Sequence, residues 1–232
     1  MSIRAATPLL LFPVLGLLAG GCGVAEYEKK MLEAQNRLQR FDEEKRVLGA
    51  PLNLPRVLDE NQVSTDVANL FLRPPHGISE NPSNDKEPRE RLFYSYPPAT
   101  GKQAGGFTLV ELAFGDVLRD RDFAQNVLRC FSATGGTASR TNSVQAPGRA
   151  EPVTFQTTEF EDGQYFYSVN VWRGSKQQVA VAYWVLREQK AAARRALDLS
   201  LRTFAMDADA TAARQLYQRA ASGQLLKPPT AR

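Results

Sequence analysis

Two neighbouring segments in the C-terminal half of the chain carry its clearest alternation of side chains. In 164–172 aromatic and β-branched residues dominate, and in 178–186 valine and tyrosine alternate with alanine, tryptophan and leucine. Alternation with a period of two is typical of β-strands, and the short polar connection 173–176 predicts a hairpin. Because both faces of the second strand are apolar, we expect a sheet that is covered on both sides.

The spacing of apolar and polar residues also predicts the other strands and helices of this region. Strands are predicted at 92–96, 106–114 and 153–160, and helices at 116–131, 190–206 and 209–222. Successive strands with short links pair antiparallel, so the predicted fold class is α+β, with an antiparallel sheet flanked by helices. The segment 132–152 is polar and rich in glycine, and we interpret it as a mobile loop.

The helix 190–206 is predicted to cover one face of the sheet. Its apolar residues recur every three or four positions, as Ala193, Leu197, Leu201 and Phe204. This spacing places them on one stripe, opposite several arginines.

Three aspartates stand at the start of the predicted helix 116–131. Asp116, Asp120 and Asp122, together with the strand residue Glu111, have the chemistry of a hard-cation site. Aspartate also caps helix N-termini, where the helix dipole favours anions. We favour capping, because it explains three of the four acids without a metal.

Residues 26–48 lack glycine and proline and predict a long polar helix. Its apolar residues follow a heptad-like stripe of about three heptads, which is borderline for a coiled coil. Members of the stripe are Tyr27, Met31, Ala34, Leu38, Phe41 and Leu48. The helix is therefore interpreted as a stalk, as an arm packed on its own domain, or as a helix for self-association. Its six basic residues are balanced by six acidic residues, so it carries no basic strip for anionic lipid.

The first 22 residues have the pattern of an export signal. Arg4 precedes an apolar stretch from Leu9 to Leu18 that is too short to span a bilayer and is followed by small residues. The sequence Leu18-Ala19-Gly20-Gly21-Cys22 resembles the lipobox of bacterial lipoproteins, with Ala19 where a large aliphatic residue is commonest.

This resemblance implies a cellular location and a lipid modification. It implies signal-peptidase recognition at residues 18–21, cleavage before Cys22, a diacylglyceryl group on the Cys22 thiol and an acyl chain on its new amino group. Two or three chains hold a protein firmly in a membrane. Gly23 is not the aspartate that favours inner-membrane retention in some bacteria, so the expected location is the envelope, with a lean toward the outer membrane and a periplasm-facing domain.

We therefore divide the chain into five regions. These are a signal peptide (1–21), a lipid anchor with the heptad-like helix (22–49), a Pro-rich linker with short elements (50–91), an α+β core domain (92–207) and a C-terminal helix and tail (208–232). The lone histidine, His76, falls in the linker between proline and glycine and is interpreted as an exposed loop residue.

The order of elements over 92–206 is similar to that of PsbP-like domains, although no signature residue carries the likeness. This resemblance implies an antiparallel sheet flanked by helices and a role in protein association rather than catalysis.

The composition argues against several kinds of structural and catalytic site. With 232 residues, two cysteines and one histidine, the chain has no disulfide framework, no zinc ligand cluster and no Ser-His-Asp order, and Cys130 is interpreted as a small core residue. No cofactor other than the acyl chains is expected. The favoured function is a non-enzymatic envelope protein that binds a protein or an envelope polymer. The alternative is a carboxylate-dependent envelope hydrolase using Glu111, Glu159 or Glu161.

The C-terminal part is basic. From Arg187 onward there are nine basic and four acidic residues, and the sequence pI is about 9.1. The default interpretation of these residues is a solvated helix face. The functional alternative is a patch that binds anionic lipid headgroups or an acidic protein. Nucleic acid is not expected as a partner outside the cytoplasm. The patch residues are Arg187, Lys190, Arg194, Arg195 and Arg202.

Overall fold

A computed structural model describes residues 21–58, 64–83, 93–100, 105–131, 139–145 and 151–222. The chain divides into two compact units, 1–44 and 45–232. The predicted signal peptide, except Gly21, and the tail 223–232 lie outside the described residues.

The first helix, α1, spans Gly21–Val47. Its bounds agree with the long polar helix predicted at 26–48, with about five more residues at its start. Tyr27 and Met31 of the heptad-like stripe are exposed, at 64% and 47%, whereas Leu48 follows the helix and is buried in the second unit. No described helix is both long and apolar enough to cross a membrane.

In the described part of the second unit, ten strands and three further helices follow α1. The strands are β1 (Arg56–Leu58), β2 (Ser64–Asp66), β3 (Leu70–Phe71), β4 (Phe93–Tyr96), β5 (Phe107–Asp116), β6 (Ser139–Val144), β7 (Val153–Asp162), β8 (Tyr165–Arg173), β9 (Gln177–Leu186) and β10 (Ala205–Met206). The helices are α2 (Phe123–Cys130), α3 (Lys190–Arg202) and α4 (Asp207–Ala221).

Six strands form one antiparallel sheet in the order β4-β5-β9-β8-β7-β6. The predicted hairpin is its centre, with Tyr167 opposite Trp184 and Val171 opposite Ala180. The α+β fold class predicted from the sequence is confirmed. Two small antiparallel ribbons, β1-β2 and β3-β10, are separate from this sheet.

Both faces of the sheet are covered, as the apolar character of β9 on both sides predicted. On one face Val181, Tyr183 and Phe155 pack with Leu197 and Leu201 of α3. Hydrogen bonds also hold α3, because Tyr183 Oη lies 2.8 Å from Ser200 Oγ, which donates to the carbonyl oxygen of Arg73 at 2.6 Å.

On the opposite face α2 covers a cluster of aromatic side chains. Phe131 has ring contacts with Phe93, Phe160, Tyr167 and Trp184, at centroid distances of 5.4 to 6.0 Å. Such edge-to-face pairs add to the free energy gained by burying the rings.

Three expectations about local structure are corrected. The helix predicted from Asp116 begins only at Phe123, because the Asp116 carboxylate accepts the N–H groups of Leu118 and Arg119 and holds a turn there. The predicted loop 132–152 contains the strand β6, a polar edge strand. Within the predicted linker 50–91, the described residues include Leu52, Leu54, Leu70, Leu72 and Ile78 of the main core, so this part belongs to the folded unit.

Candidate functional site

The candidate site is a groove that the second unit forms from three segments distant in sequence. Two adjoining cavities of about 660 and 340 Å³ share Ala50, Glu80, Asn81 and Tyr217 as walls. One wall is the extended segment 49–54, another is the turn 77–82, and the third is the face of α4 that carries Tyr217. We call this the 50/80/217 groove.

Tyr217 reaches the groove because α4 is fixed by a small core of its own. Phe71 of β3 and Ala205 of β10 pack with Ala210, and the Phe71 and Tyr217 rings lie 6.3 Å apart. At the start of α4, Asn69 Nδ2 donates to the carbonyl oxygen of Asp207 at 2.6 Å. These contacts position one face of α4 over the groove.

Arg73 lines the smaller cavity and is only 5% exposed. Arg73 Nε donates to the carbonyl oxygen of Gly49 at 3.0 Å, and Nη2 donates to that of Leu48 at 3.1 Å. Its Cζ lies 5.0 Å from the centroid of the Tyr217 ring, which is cation–π geometry. Arg73 therefore ties the segment after α1 to the aromatic wall of the groove.

The turn on the other side is fixed by amides. The N–H of Asn53 donates to the carbonyl oxygen of Glu80 at 2.7 Å, and Asn53 Nδ2 donates to Asn81 Oδ1 at 2.7 Å. Ser79 Oγ donates to the carbonyl oxygen of Asn81 at 2.9 Å, which closes the turn. Asn53 and Asn81 are exposed, so their amides line the groove where a ligand can reach them.

The groove combines basic and amide groups with apolar surface. Lys45, Arg73, His76 and Arg214 line its cavities, against the acid Glu80. The guanidinium of Arg214 donates to the carbonyl oxygen of Leu70. The groove therefore presents amide groups, positive charge and an aromatic ring side by side.

His76 lies where the sequence predicted, in an exposed turn. Its backbone N–H donates to the carbonyl oxygen of Val47 at 2.8 Å, so it satisfies one of the free carbonyls at the end of α1. Cys130 is partly buried against the aromatic cluster, and its Sγ donates to the carbonyl oxygen of Asn126 at 3.3 Å.

The predicted basic patch is largely engaged in ion pairs. Lys190 and Arg187 pair with Glu161 at 2.8 and 2.9 Å, and Arg194 forms a two-pronged contact with Glu159. Arg195 and Arg202 are exposed on α3. The patch is thus part of an ion-pair layer between β7 and α3.

These ion pairs change the acidity of both carboxyl groups. Burial opposes ionisation of Glu159, but the hydrogen bond and charge of Arg194 outweigh it, and the pKa of Glu159 is lowered. The pKa of Glu161 is lowered mainly by its hydrogen bond from Lys190.

Glu111 lies on the opposite face of the sheet from Glu159 and Glu161. Only 5% exposed, it accepts hydrogen bonds from Trp184 Nε1 at 2.7 Å and from Ser95 Oγ at 3.1 Å. The sheet therefore separates it from the other two acids proposed for hydrolysis.

Asp116 and Asp120 bind backbone N–H groups of the turn before α2, and no aspartate side chain caps the helix itself as the sequence predicted. Asp120 Oδ2 accepts the N–H of Asp116 at 2.7 Å, while Asp122 precedes α2 without a side-chain capping bond. Backbone hydrogen bonds lower the pKa of Asp116. Over the described residues, no group of three or more His, Cys, Asp or Glu side chains is arranged to hold a metal ion.

The predicted lipidation residue stands at the start of α1. Gly21 and Cys22 are its first two residues, whereas Leu18, Ala19 and Gly20 lie outside the described residues. Sequence reasoning did not find the 50/80/217 groove, because its walls lie far apart along the chain.

No known protein family matches the sequence. No curated protein matches it either. Among solved structures, the chain is similar to the solution structure of the cyanobacterial PsbP (CyanoP) from Synechocystis sp. PCC 6803. The match has a TM-score of 0.33 and 8% sequence identity and covers 69% of this chain and 93% of that one.

Proposed function

We propose that this protein is a lipid-anchored, non-enzymatic component of the bacterial envelope, whose α+β unit binds a protein or an envelope polymer. We further propose that it faces the periplasm from the outer membrane. The observation that carries the proposal is Cys22, which directly follows a short apolar segment and three small residues.

The chemistry of the anchor requires a cysteine. A thiolate is a strong soft nucleophile that forms the thioether to a diacylglyceryl group, and a serine hydroxyl does not replace it. Each buried methylene contributes about 0.8 kcal/mol, so two or three acyl chains give lasting attachment.

The helix α1 serves in this proposal as the connection between the anchor and the folded unit. Its 27 residues correspond to a length of roughly 40 Å. Its exposed Tyr27 and Met31 are compatible with a stalk and with pairing to another helix.

The 50/80/217 groove is the proposed binding surface. It offers amide groups of Asn53 and Asn81, the Tyr217 ring and the cation Lys45. The three acids proposed for hydrolysis are divided between two faces of the sheet and engaged in hydrogen bonds or ion pairs, which favours binding over the hydrolase alternative.

Replacement of Cys22 by serine tests the anchor. We expect C22S to leave the membrane fraction and to accumulate as unprocessed precursor, and mass spectrometry of the wild type to show fatty acids on residue 22. The matched control is C130S, which removes the other cysteine and should fractionate like the wild type. A C22S protein that is anchored normally would refute the lipobox interpretation.

Site-specific photo-crosslinking in intact cells tests the groove. A photoreactive residue at Gln218, on the groove wall, should give a discrete adduct of protein or glycan. The control position is Gln125, which is exposed on α2, a helix that does not line the groove. Equal adducts at both positions, or none at Gln218, would remove the groove from the proposal.

A further inference from the structure

The strand β6 forms one edge of the six-stranded sheet. It pairs residue for residue with β7, from Ser139 opposite Thr158 to Val144 opposite Val153, without a bulge. In an antiparallel ladder every second residue directs its N–H and C=O away from its partner strand. Within the described residues nothing pairs with the outer side of β6, which therefore presents a regular row of backbone donors and acceptors.

The opposite edge of the sheet is covered. The N–H of Ser83 donates to the carbonyl oxygen of Ser95 in β4 at 2.7 Å, and the N–H of Ser79 donates to that of Pro97 at 2.8 Å. The segment 79–83 thus shields β4 in the way that natural proteins protect exposed strands. The two edges of this sheet differ in their protection.

The usual side-chain protection is missing from β6. Edge strands commonly avoid pairing through proline, a bulge or an unpaired charge. The sequence Ser139–Val144 has no proline or glycine, and Arg140 is its single charged residue. Arg140 Nη2 lies 2.9 Å from Glu159 Oε1, so its charge is balanced within the same molecule.

We propose that β6 pairs antiparallel with β6 of a second copy and joins two six-stranded sheets into one. A two-fold axis through Thr141, perpendicular to the sheet, sets Thr141 opposite Thr141 of the second copy, Arg140 opposite Asn142 and Ser139 opposite Ser143. Residues that lie opposite each other then have their side chains on the same face of the sheet. No charge faces a like charge, hydroxyl groups meet hydroxyl groups, and the Arg140 guanidinium meets the Asn142 amide. The side chains of β6 are therefore complementary to themselves.

The surface of β6 also suits this occupant. Ser139, Thr141 and Ser143 are exposed, as a polar strand that meets another polar strand requires. A contact of one six-residue strand per copy is small beside a stable dimer interface of about 1,200–2,000 Å², so the free association is weak. Attachment of copies to one membrane would strengthen it by raising their local concentration. The pairing itself does not depend on the anchor.

The test measures self-association of the purified full-length chain in mild detergent by sedimentation equilibrium. The double variant T141K/N142K places lysine opposite lysine at position 141 and lysine opposite Arg140 at position 142. Like charges directly opposite destabilise a strand pair, and we expect the dimer dissociation constant to rise at least about tenfold. Mixing it with T141E/N142E should restore the dimer, because lysine then faces glutamate at position 141 and one Arg140 faces glutamate at position 142, which outweighs the one lysine that still faces Arg140.

The matched control is T154K/Q156K, which adds the same charge at exposed positions of the neighbouring strand β7 and should dimerise like the wild type. A measurement without mutation uses amide exchange, in which protection of β6 backbone amides should rise with protein concentration. The proposal is overturned if the wild type is monomeric with unprotected β6 amides at every concentration. It is also overturned if the control variant loses the dimer as fully as T141K/N142K, or if the oppositely charged variants do not pair on mixing.

Discussion

The Nε atom of Arg73 lies 3.0 Å from the carbonyl oxygen of Gly49, where the chain passes from α1 into the folded unit. Nη2 of the same guanidinium donates to the carbonyl oxygen of Leu48, and the N–H of Gly49 donates to the carbonyl oxygen of Pro74 at 2.8 Å. Arg73 thus fixes residues 48 and 49 within the second unit, and it also lines the smaller cavity of the 50/80/217 groove.

Removing this guanidinium should destabilise the folded unit. We expect R73A to lower the free energy of unfolding by about 3 kcal/mol, because one buried and one partly buried carbonyl oxygen lose a charged donor. R73K should recover part of this loss, since lysine does not reproduce the fork geometry. Chemical denaturation measures both. The control is R202A on the exposed end of α3, which should change stability by less than about 0.5 kcal/mol. If R73A changes the stability as little as R202A does, the hydrogen bonds from Arg73 to residues 48 and 49 do not stabilise the fold.

Leu201 tests whether α3 covers the sheet as described. Its side chain is fully buried, and we expect L201A to cost about 2–5 kcal/mol of unfolding free energy through lost burial and a cavity. L216A removes the same atoms from an exposed position of α4 and should cost less than about 0.5 kcal/mol. Thermal and urea unfolding measure the difference. Equal effects at the two sites would place Leu201 outside the core.

The pair Glu159–Arg194 should make stability depend on pH. Because the pKa of Glu159 is lowered in the folded state, its contribution is present above the unfolded value of about 4.5 and is lost as the pH falls through the folded pKa. The pair is partly exposed, so we expect at most about 1 kcal/mol. E159Q should remove this part of the acid dependence, as unfolding at pH 7 and pH 3 will show. The control E188Q, at an exposed site, should keep it.

Glycine is required at position 106 by both its backbone and its surroundings. Its φ is +87°, and a Cβ there would lie 2.4 Å from Cβ of Gln189. Gly105 has a φ of +57° but open space around it. Both G105A and G106A carry the backbone penalty of roughly 1–2 kcal/mol, and G106A should cost at least about 1 kcal/mol more through overpacking. Denaturation of the two variants side by side decides this, and equal costs would exclude the clash with Gln189.

Trp184 and the buried carboxylate of Glu111 should be energetically coupled. W184F deletes the N–H that lies 2.7 Å from Glu111 Oε2, which leaves a buried carboxylate short of a donor. We expect a loss of about 2 kcal/mol in W184F and a smaller additional loss when E111Q is combined with it. A double-mutant cycle gives the coupling energy. Strictly additive losses would mean that this hydrogen bond does not stabilise the fold.

The fold was predictable wherever side-chain periodicity is strong. The hairpin of β8 and β9 and the helix α3 have apolar residues at the spacing their elements impose, so the sequence identifies them. The strand β6 has no such pattern, because it is a polar edge whose pairing with β7 decides its conformation. The start of α2 was misjudged because the carboxylates of Asp116 and Asp120 bind backbone N–H groups of a turn before the helix.

The candidate site was beyond sequence reasoning for a different reason. Proline and glycine between 50 and 91 indicated a linker, yet Leu52 and Leu72 from this region are buried in the core without any helical or strand periodicity. The groove exists only after Asn53, Asn81 and Tyr217 are brought together by the tertiary fold. No local pattern marks such residues as neighbours.

The order of strands has a consequence for how the chain folds as it is made. The hairpin β4-β5 joins the sheet only through β9, the last of the six strands to be synthesised. Long-range pairing of this kind forms late, since the intervening chain must be closed into a loop first. Synthesis from the N-terminus thus leaves this hairpin unsatisfied until β9 has been added, a window in which a holding chaperone would protect it.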